Sequence, residues 1–264
     1  MDSSSGQPEK PVVSRGIDNF FLDIYRIFQF IKRFFREALR PPLEVKEFIR
    51  QCYMVGYKSL TLITMTGFIT GLVFTKQSRP SLSEFGATSW LPSLIAIAVV
   101  RALAPLVTSL ICAGKVGSSI GAELASMKVT EQIDAMEVSA INPFKYLVVT
   151  RVMATTVCIP ILVCYTGLVA LLGSYLDIHL NEHTSFVTFF QNAFKNITFL
   201  DFGTTMFKAI AYGFTIGIVG CFQGWRATQG TQGVGKAANV SVVVSMFLIF
   251  LEEVVIVQVA NSIR

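Results

Sequence analysis

Residues 230–237 read GTQGVGKA and come close to the phosphate-binding loop pattern G-x-x-x-x-G-K-S/T. Gly230, Gly235 and Lys236 match the pattern, but Ala237 stands where a serine or threonine hydroxyl would bind magnesium. A phosphate-binding loop also follows a β-strand and opens a helix within an α/β domain. Whether this stretch binds a nucleotide therefore depends on the elements that surround it.

Residues 179–183 read HLNEH, which fits the zinc-peptidase pattern H-x-x-E-H. His179 and His183 are the only histidines of the chain, and Asp201 is the one nearby carboxylate after them. A catalytic zinc needs three protein ligands. Because five-residue patterns with three fixed positions arise by chance, we expect a solvated external loop without a metal here.

The composition is that of a membrane protein. Of the 264 residues, 52% are hydrophobic and 15% are charged, with a mean hydropathy of +0.58, whereas soluble domains carry about 25% charged residues. Residues 1–16 are polar and rich in Ser and Pro, which predicts a disordered tail rather than a secretory signal. The five cysteines form no C-x-x-C pair, and we expect them to be small buried hydrophobes.

A basic amphipathic helix is predicted over about 17–40. Aromatic and aliphatic residues recur there at spacings of three and four, and Arg26, Lys32, Arg33 and Arg36 interrupt them. Charges this frequent exclude a membrane span, so the helix is expected to lie in the headgroup plane. Packing against a soluble core is the alternative.

Five apolar runs follow, each near the roughly 20 residues that cross a bilayer. They predict an all-α integral membrane protein, with Pro160 expected to kink the long third span. The spans are predicted at about 56–75, 90–112, 147–176, 205–225 and 238–260.

The distribution of Lys and Arg predicts the orientation. Nine of these residues precede the first span, and further ones lie in the connections 113–146 and 226–236. The opposite side holds Lys76, Arg79, Lys195 and Arg264. The N-terminus is therefore expected in the cytoplasm and the C-terminus in the periplasm. GTQGVGKA then falls in a short cytoplasmic connection, where we expect a Gly-rich turn and no nucleotide site.

The connection 113–146 is the longest on the cytoplasmic side, and its segment of about 121–141 predicts a helix. An apolar edge includes Met127, and an acidic edge is formed by Glu123, Glu131, Asp134 and Glu137. Such a helix can dock on a cytoplasmic protein, or it can be a solvated loop helix without a partner.

Four stretches resemble one family, and together they extend over nearly the whole chain from about Ile17. They are RPPLEVKEFIRQCYMVGYKSL, VVRALAP, GTQGVGKAAN and the long run GKVGSSIGAELASMKVTEQIDAMEVSAINPFKYLVVTRVMA. The last is ungapped and looks like the signature of the MlaE/YrbE permeases of ABC transporters.

The resemblance implies a permease subunit of the inner membrane that forms a homodimer. Cytoplasmic ABC ATPase subunits and a periplasmic ring of MCE-domain proteins are the implied partners, and phospholipids or related lipids, moved between inner and outer membranes, are the implied substrate. The 121–141 segment would be the coupling helix that docks on the ATPase. The chain itself is expected to be no enzyme and to bind no cofactor or nucleic acid, since the partner ATPase would bind ATP and Mg.

Arg101 lies within the second apolar run, where an arginine is costly unless it faces a cavity or a partner. It suits the phosphate of a lipid headgroup, or it pairs with Glu252 or Glu253 of the fifth run. The family often has R-E-L-G-P where this chain has Arg101-Ala102-Leu103-Ala104-Pro105. We therefore hypothesise that Glu252 replaces the missing carboxylate as counter-charge.

The resemblance to the family's lipid pocket adds three further candidates for lipid contacts, namely Phe74, Gln77 and Leu82. Gly67 and Gly71, like two glycine pairs of the fourth span, form G-x-x-x-G motifs that serve either a dimer seam or packing within one subunit. A membrane anchor or channel without lipid translocation is the alternative function. A membrane enzyme is disfavoured, because no nucleophile, base or metal ligands converge in the sequence.

Overall fold

The computed structural model describes residues 12–41, 44–228 and 230–263, and these contain helices but no β-strand. The chain divides into two compact units, Met1–Leu43 and Glu44–Arg264. The first unit holds helix α1, Val12–Ala38. Residues 12–16 of the predicted tail thus belong to a helix, while residues 1–11 lie outside the described part.

The second unit contains five helical stretches long and apolar enough to cross a membrane. This confirms the all-α membrane architecture. The stretches are Val45–Glu84, Thr88–Val129, Phe144–Glu182, Phe199–Trp225 and Thr231–Ser262. Each extends beyond the apolar run that predicted it, because helices continue past the hydrocarbon core of a bilayer.

The first two spans are interrupted helices. The first comprises α2 (Val45–Val55), a 3₁₀ turn and α3 (Leu60–Glu84). The second comprises α4 (Leu91–Ala98), a π-helical turn (Val99–Leu103), α5 (Ala104–Cys112), a second π-helical turn (Ala113–Gly117) and α6 (Ser118–Val129).

The remaining spans are longer single helices. After the short α7 (Gln132–Val138), a π-helical turn (Phe144–Val149) leads into α8 (Thr150–Glu182), which continues through Pro160. The short α9 (Phe186–Phe194) precedes α10 (Phe199–Trp225) and α11 (Thr231–Ile263). Helix α9 packs mainly against α4, and Asn196 donates to the Ser93 hydroxyl at 2.6 Å.

Glycines bring the helices together within the subunit. A Cβ atom built on Gly71 of α3 would lie 1.9 Å from the backbone oxygen of Ala170 in α8. One on Gly213 of α10 would lie 2.7 Å from the oxygen of Thr155, also in α8. Gly224 approaches Leu124 of α6 in the same way, at 2.6 Å. The G-x-x-x-G motifs are therefore used for packing between helices of one chain.

The predicted coupling segment is not one helix. Helix α6 continues the second span to Val129, and α7 starts at Gln132 after a turn at Thr130 and Glu131. Glu131 has a φ of 58°, the left-handed region that stops an α-helix. The sequence prediction missed this break because the segment contains no Gly or Pro between 122 and 140.

The stretch GTQGVGKA is also helical rather than a turn. Gly230 has a φ of 98°, and α11 begins at Thr231 and includes Gly235 and Lys236. The prediction of a Gly-rich turn is therefore wrong for residues 231–237. Because the described residues include no strand, the α/β setting of a phosphate-binding loop is missing from the described part of the chain.

Candidate functional site: charged groups inside the membrane span

Pro105 leaves backbone carbonyl groups of the second span without their usual hydrogen-bond donors. In the π-helical turn before it, the N–H of Ala104 donates to Val99 rather than to Val100. Pro105 has no N–H, so the carbonyl of Arg101 lacks the donor that residue i+4 supplies in an α-helix. Two carbonyl groups, those of Val100 and Arg101, thus become available to other side chains.

Helix α10 supplies both donors. The Thr205 hydroxyl donates to the Val100 carbonyl at 2.9 Å, and the Lys208 ammonium donates to the Arg101 carbonyl at 3.1 Å. The side chain of Lys208 is only 5% exposed. The irregular turn in the second span therefore positions a lysine within the membrane part of the fourth span.

Lys208 is paired with a carboxylate of the fifth span. Its ammonium lies 2.7 Å from Oε1 of Glu253, and the Tyr212 hydroxyl donates to Oε2 of the same residue. Glu253 thus has a charged and a neutral donor, as a buried carboxylate requires. Three spans meet at this contact: the second through the Arg101 carbonyl, the fourth and the fifth.

Arg101 pairs with Asp201 and not with Glu252. Its guanidinium donates to Asp201 Oδ2 at 2.9 Å, while Glu252 accepts a hydrogen bond from Thr215. The hypothesis that Glu252 is the counter-charge of Arg101 is therefore wrong in this structure. Asp201, in the first turn of α10, lies close to Arg101, whereas the carboxylate of Glu252 is directed to Thr215.

The Asp201 carboxylate is held by hydrogen bonds within its own helix start as well as by Arg101. Its carboxylate accepts from the backbone N–H and the hydroxyl of Thr198, at 3.0 and 2.9 Å, which caps the start of α10. The Asp201 side chain is 1% exposed, whereas that of Arg101 is 35% exposed. The pair is thus anchored on the aspartate side, and the guanidinium keeps donors available to a ligand.

An apolar cavity of about 220 Å³ lies against the helical turn that carries Arg101, although Arg101 itself does not line it. The neighbours Val100 and Ala104 line it, together with Thr205 of α10 and residues of α8 and α9 such as Leu168 and Phe194. The second span therefore presents a cationic side chain and the wall of a hydrophobic cavity within one helical turn.

The other candidate lipid contacts lie elsewhere. Phe74, Gln77 and Leu82 belong to the second half of α3, where Phe74 and Leu82 are half-buried and Gln77 is exposed. None of the three lines the cavity beside Arg101. Glu252 is bonded to Thr215 rather than to Arg101, and the role of all four residues stays a prediction.

The candidate ATPase contacts divide into paired and free groups. Glu123 lies 2.9 Å from Arg151 at the start of α8, and Asp134 lies 2.9 Å from Lys128. Glu131 and Glu137 are exposed, and Met127 is half-buried. The exposed apolar residue Val138 (90%) ends α7 beside them.

Sequence reasoning missed Asp201 and Lys208 as members of the site. The signal for Asp201 was the capping pattern Thr198-x-x-Asp201. The signal for Lys208 was a lone charge in the fourth apolar run, where a buried charge requires a partner.

Five apolar spans with paired charges between them define a multi-pass α-helical membrane protein. Comparison with known proteins specifies it further. The family model of permease MlaE matches residues 48–259. A probable ABC transporter permease protein of Rickettsia typhi is 34% identical over 235 residues, which cover 89% of this chain and 90% of the relative.

Two further relatives agree with this assignment. A probable ABC transporter permease protein of Synechocystis is 34% identical, covering 82% of each chain. One of Pyropia yezoensis is 32% identical, covering 88% of this chain and 90% of the relative. The chain therefore belongs to the MlaE family of ABC transporter permeases.

Proposed function

We propose that this permease moves phospholipids, or closely related lipids, between membranes. The observation that carries the proposal is the partly exposed guanidinium of Arg101, on the same helical turn as Val100 and Ala104, which line an apolar cavity. A phospholipid combines an anionic phosphate with acyl chains, and these match a cation and a hydrophobic wall respectively. Phe74, Gln77, Leu82 and Glu252 are proposed as further contacts along the path of the lipid.

The energy is proposed to come from a separate ABC ATPase that binds ATP and Mg. Permease names among the relatives support such a partner. The proposed docking surface consists of α7 and its flanking turns, with the exposed Glu131, Glu137 and Val138. Glu123, Met127 and Asp134 lie on the segment that would transmit the movement to the second span.

The remaining assembly follows from the family resemblance. We propose a homodimer in an inner membrane, with the N-terminus in the cytoplasm and the C-terminus in the periplasm, joined by a periplasmic ring of MCE-domain proteins. The Lys and Arg distribution supports this orientation. In it, α7 faces the cytoplasm, and α9 with the start of α10 faces the periplasm.

The first experiment is purification of the tagged chain from its native membrane in mild detergent, followed by mass spectrometry of retained proteins and lipids. We expect an ABC ATPase, an MCE-domain protein and a phospholipid. Arg101→Gln should lower the amount of retained phospholipid, whereas Arg226→Gln, at the other end of α10, should not. Unchanged lipid in Arg101→Gln would contradict the site. A chain that emerges alone even after crosslinking would favour an anchor or channel.

A further inference from the structure

A groove lined by two lysines lies at the other end of the second span. It has a volume of about 260 Å³ and is bounded by α2, the 3₁₀ turn after it, the second π-helical turn and the start of α6. Lys115 is 14 residues after Arg101, which corresponds to about 21 Å along a helix of 1.5 Å rise. The groove is therefore a separate place from the site of Arg101.

Two lysines give the groove its charge. Lys58 is exposed and Lys115 is half-buried, and the Lys115 ammonium donates to the backbone carbonyl of Lys58. Neither ammonium forms an ion pair with any residue in the described part of the chain. Glu123 also lines the groove, but its carboxylate is 2.9 Å from the buried Arg151. Two neighbouring cations thus have no anionic partner among the described residues.

The rest of the groove is largely apolar and lies at the boundary of the spans. Met54 of α2 and Ile120 of α6 form part of its wall, and Ser119 of α6 also lines it. Lys58 comes just before α3, and Lys115 just after α5. Both ammonium groups are therefore expected at the depth of lipid headgroups, at the same face of the membrane.

We propose that this groove binds the phosphate group of an anionic phospholipid from the adjacent leaflet, the cytoplasmic one in the proposed orientation. Lys58 and Lys115 provide the two cations, and Met54 and Ile120 contact the glycerol and the start of an acyl chain. A free phosphate ion would use the lysines but gain nothing from the apolar wall, so the geometry favours the lipid. The inference requires a membrane-spanning chain but not the transport proposed above.

The test is native mass spectrometry of delipidated protein in detergent, titrated with phosphatidylglycerol or with zwitterionic phosphatidylcholine. The double variant Lys58→Gln/Lys115→Gln should weaken phosphatidylglycerol binding about tenfold and leave phosphatidylcholine binding unchanged. Lys46→Gln is the matched control, since Lys46 is an exposed lysine of α2 that does not line the groove. Equal loss in the control, or no loss in the double variant, would overturn the proposal.

Further measurements test whether the lipid binds in this groove and whether a free anion could replace it. Ser119→Trp fills the groove and retains both lysines, so it should also weaken phosphatidylglycerol binding, and unchanged binding would contradict the location. Inorganic phosphate at the concentration of the lipid should not displace it, and displacement would identify a site for free anions instead. Arg101→Gln should leave this lysine-dependent binding intact, which separates a failure here from a failure of the proposed transport site.

Discussion

At the residue scale, the charges between the spans act as pairs whose members depend on each other. Lys208 and Glu253 are both largely buried, and each is the ionic partner of the other. Removing one member of such a pair leaves an uncompensated charge in a low-dielectric setting, at a cost of about 3–5 kcal/mol. Removing both charges together avoids that cost.

We therefore expect Lys208→Met to lower the thermal unfolding temperature of the detergent-solubilised chain markedly. The double variant Lys208→Met/Glu253→Gln should recover most of the loss, because the glutamine is neutral and still accepts from Tyr212. The measurement is thermal unfolding followed by size-exclusion chromatography. A double variant no more stable than Lys208→Met would show that the pair is not the source of the stability.

The choice of partners among these charges could not be predicted from the sequence. Arg101 was recognisable as a costly arginine, and Glu252 and Glu253 as carboxylates of the fifth run. Which of them pair depends on how far the helices are shifted along each other. Because α10 starts near Arg101, Asp201 is in reach, whereas Glu252 faces Thr215 although its neighbour Glu253 lies close to the Arg101 carbonyl through Lys208.

At the element scale, glycine positions decide how closely the spans approach. We expect Gly71→Ala to destabilise the chain strongly, because its Cβ would lie 1.9 Å from the Ala170 backbone oxygen. The control is Gly203→Ala in α10, where an added Cβ meets no atom within 4 Å. That variant should be neutral or more stable by up to about 1 kcal/mol, since alanine favours helices.

Unfolding temperatures of the two alanine variants provide the measurement. Equal temperatures would mean that α3 and α8 are not in this close contact. A stable Gly71→Ala protein with altered oligomeric state would instead place Gly71 at a seam between subunits.

The number and order of the spans were predictable, whereas their interruptions were not. Apolar runs of about 20 residues indicate membrane helices by length alone. The π-helical turn at Val99–Leu103 is stabilised by side chains of α10, and the break at Glu131 contains no Gly or Pro that would mark it. Helix α9 lies in the connection between the third and fourth spans, and at nine residues it is too short to cross a membrane.

The turn at Glu131 allows a second test at this scale. Glu131→Gly and Glu131→Ala remove the same carboxylate, but only glycine adopts the φ of 58° without strain. If the carboxylate contacts the ATPase, both variants should weaken its binding equally, by about 1.4-fold to fivefold, as for an exposed ion pair of roughly 0.2–1 kcal/mol. Affinity for the purified ATPase in detergent is the measurement. A loss confined to the alanine variant would show that the shape of the turn matters instead.

At the scale of the whole molecule, the proposed orientation assigns each site to one membrane face. The connection between α7 and the third span should face the cytoplasm, and the end of α3 should face the periplasm. Ser139 and Ser83 are exposed residues of these two regions, so cysteines placed there report on the two faces. The five native cysteines are buried or half-buried, and the unmodified chain measures their background.

An impermeant maleimide should label Ser83→Cys in cells whose outer membrane has been made permeable. Ser139→Cys should react only after the inner membrane is opened as well. The expectation follows from the excess of Lys and Arg before the first span and in the connections 113–146 and 226–236. The opposite pattern would place α7 in the periplasm, out of reach of an ATPase, and would put the groove of Lys58 and Lys115 in the outer leaflet. The labelling therefore decides which leaflet supplies lipid to each of the two sites.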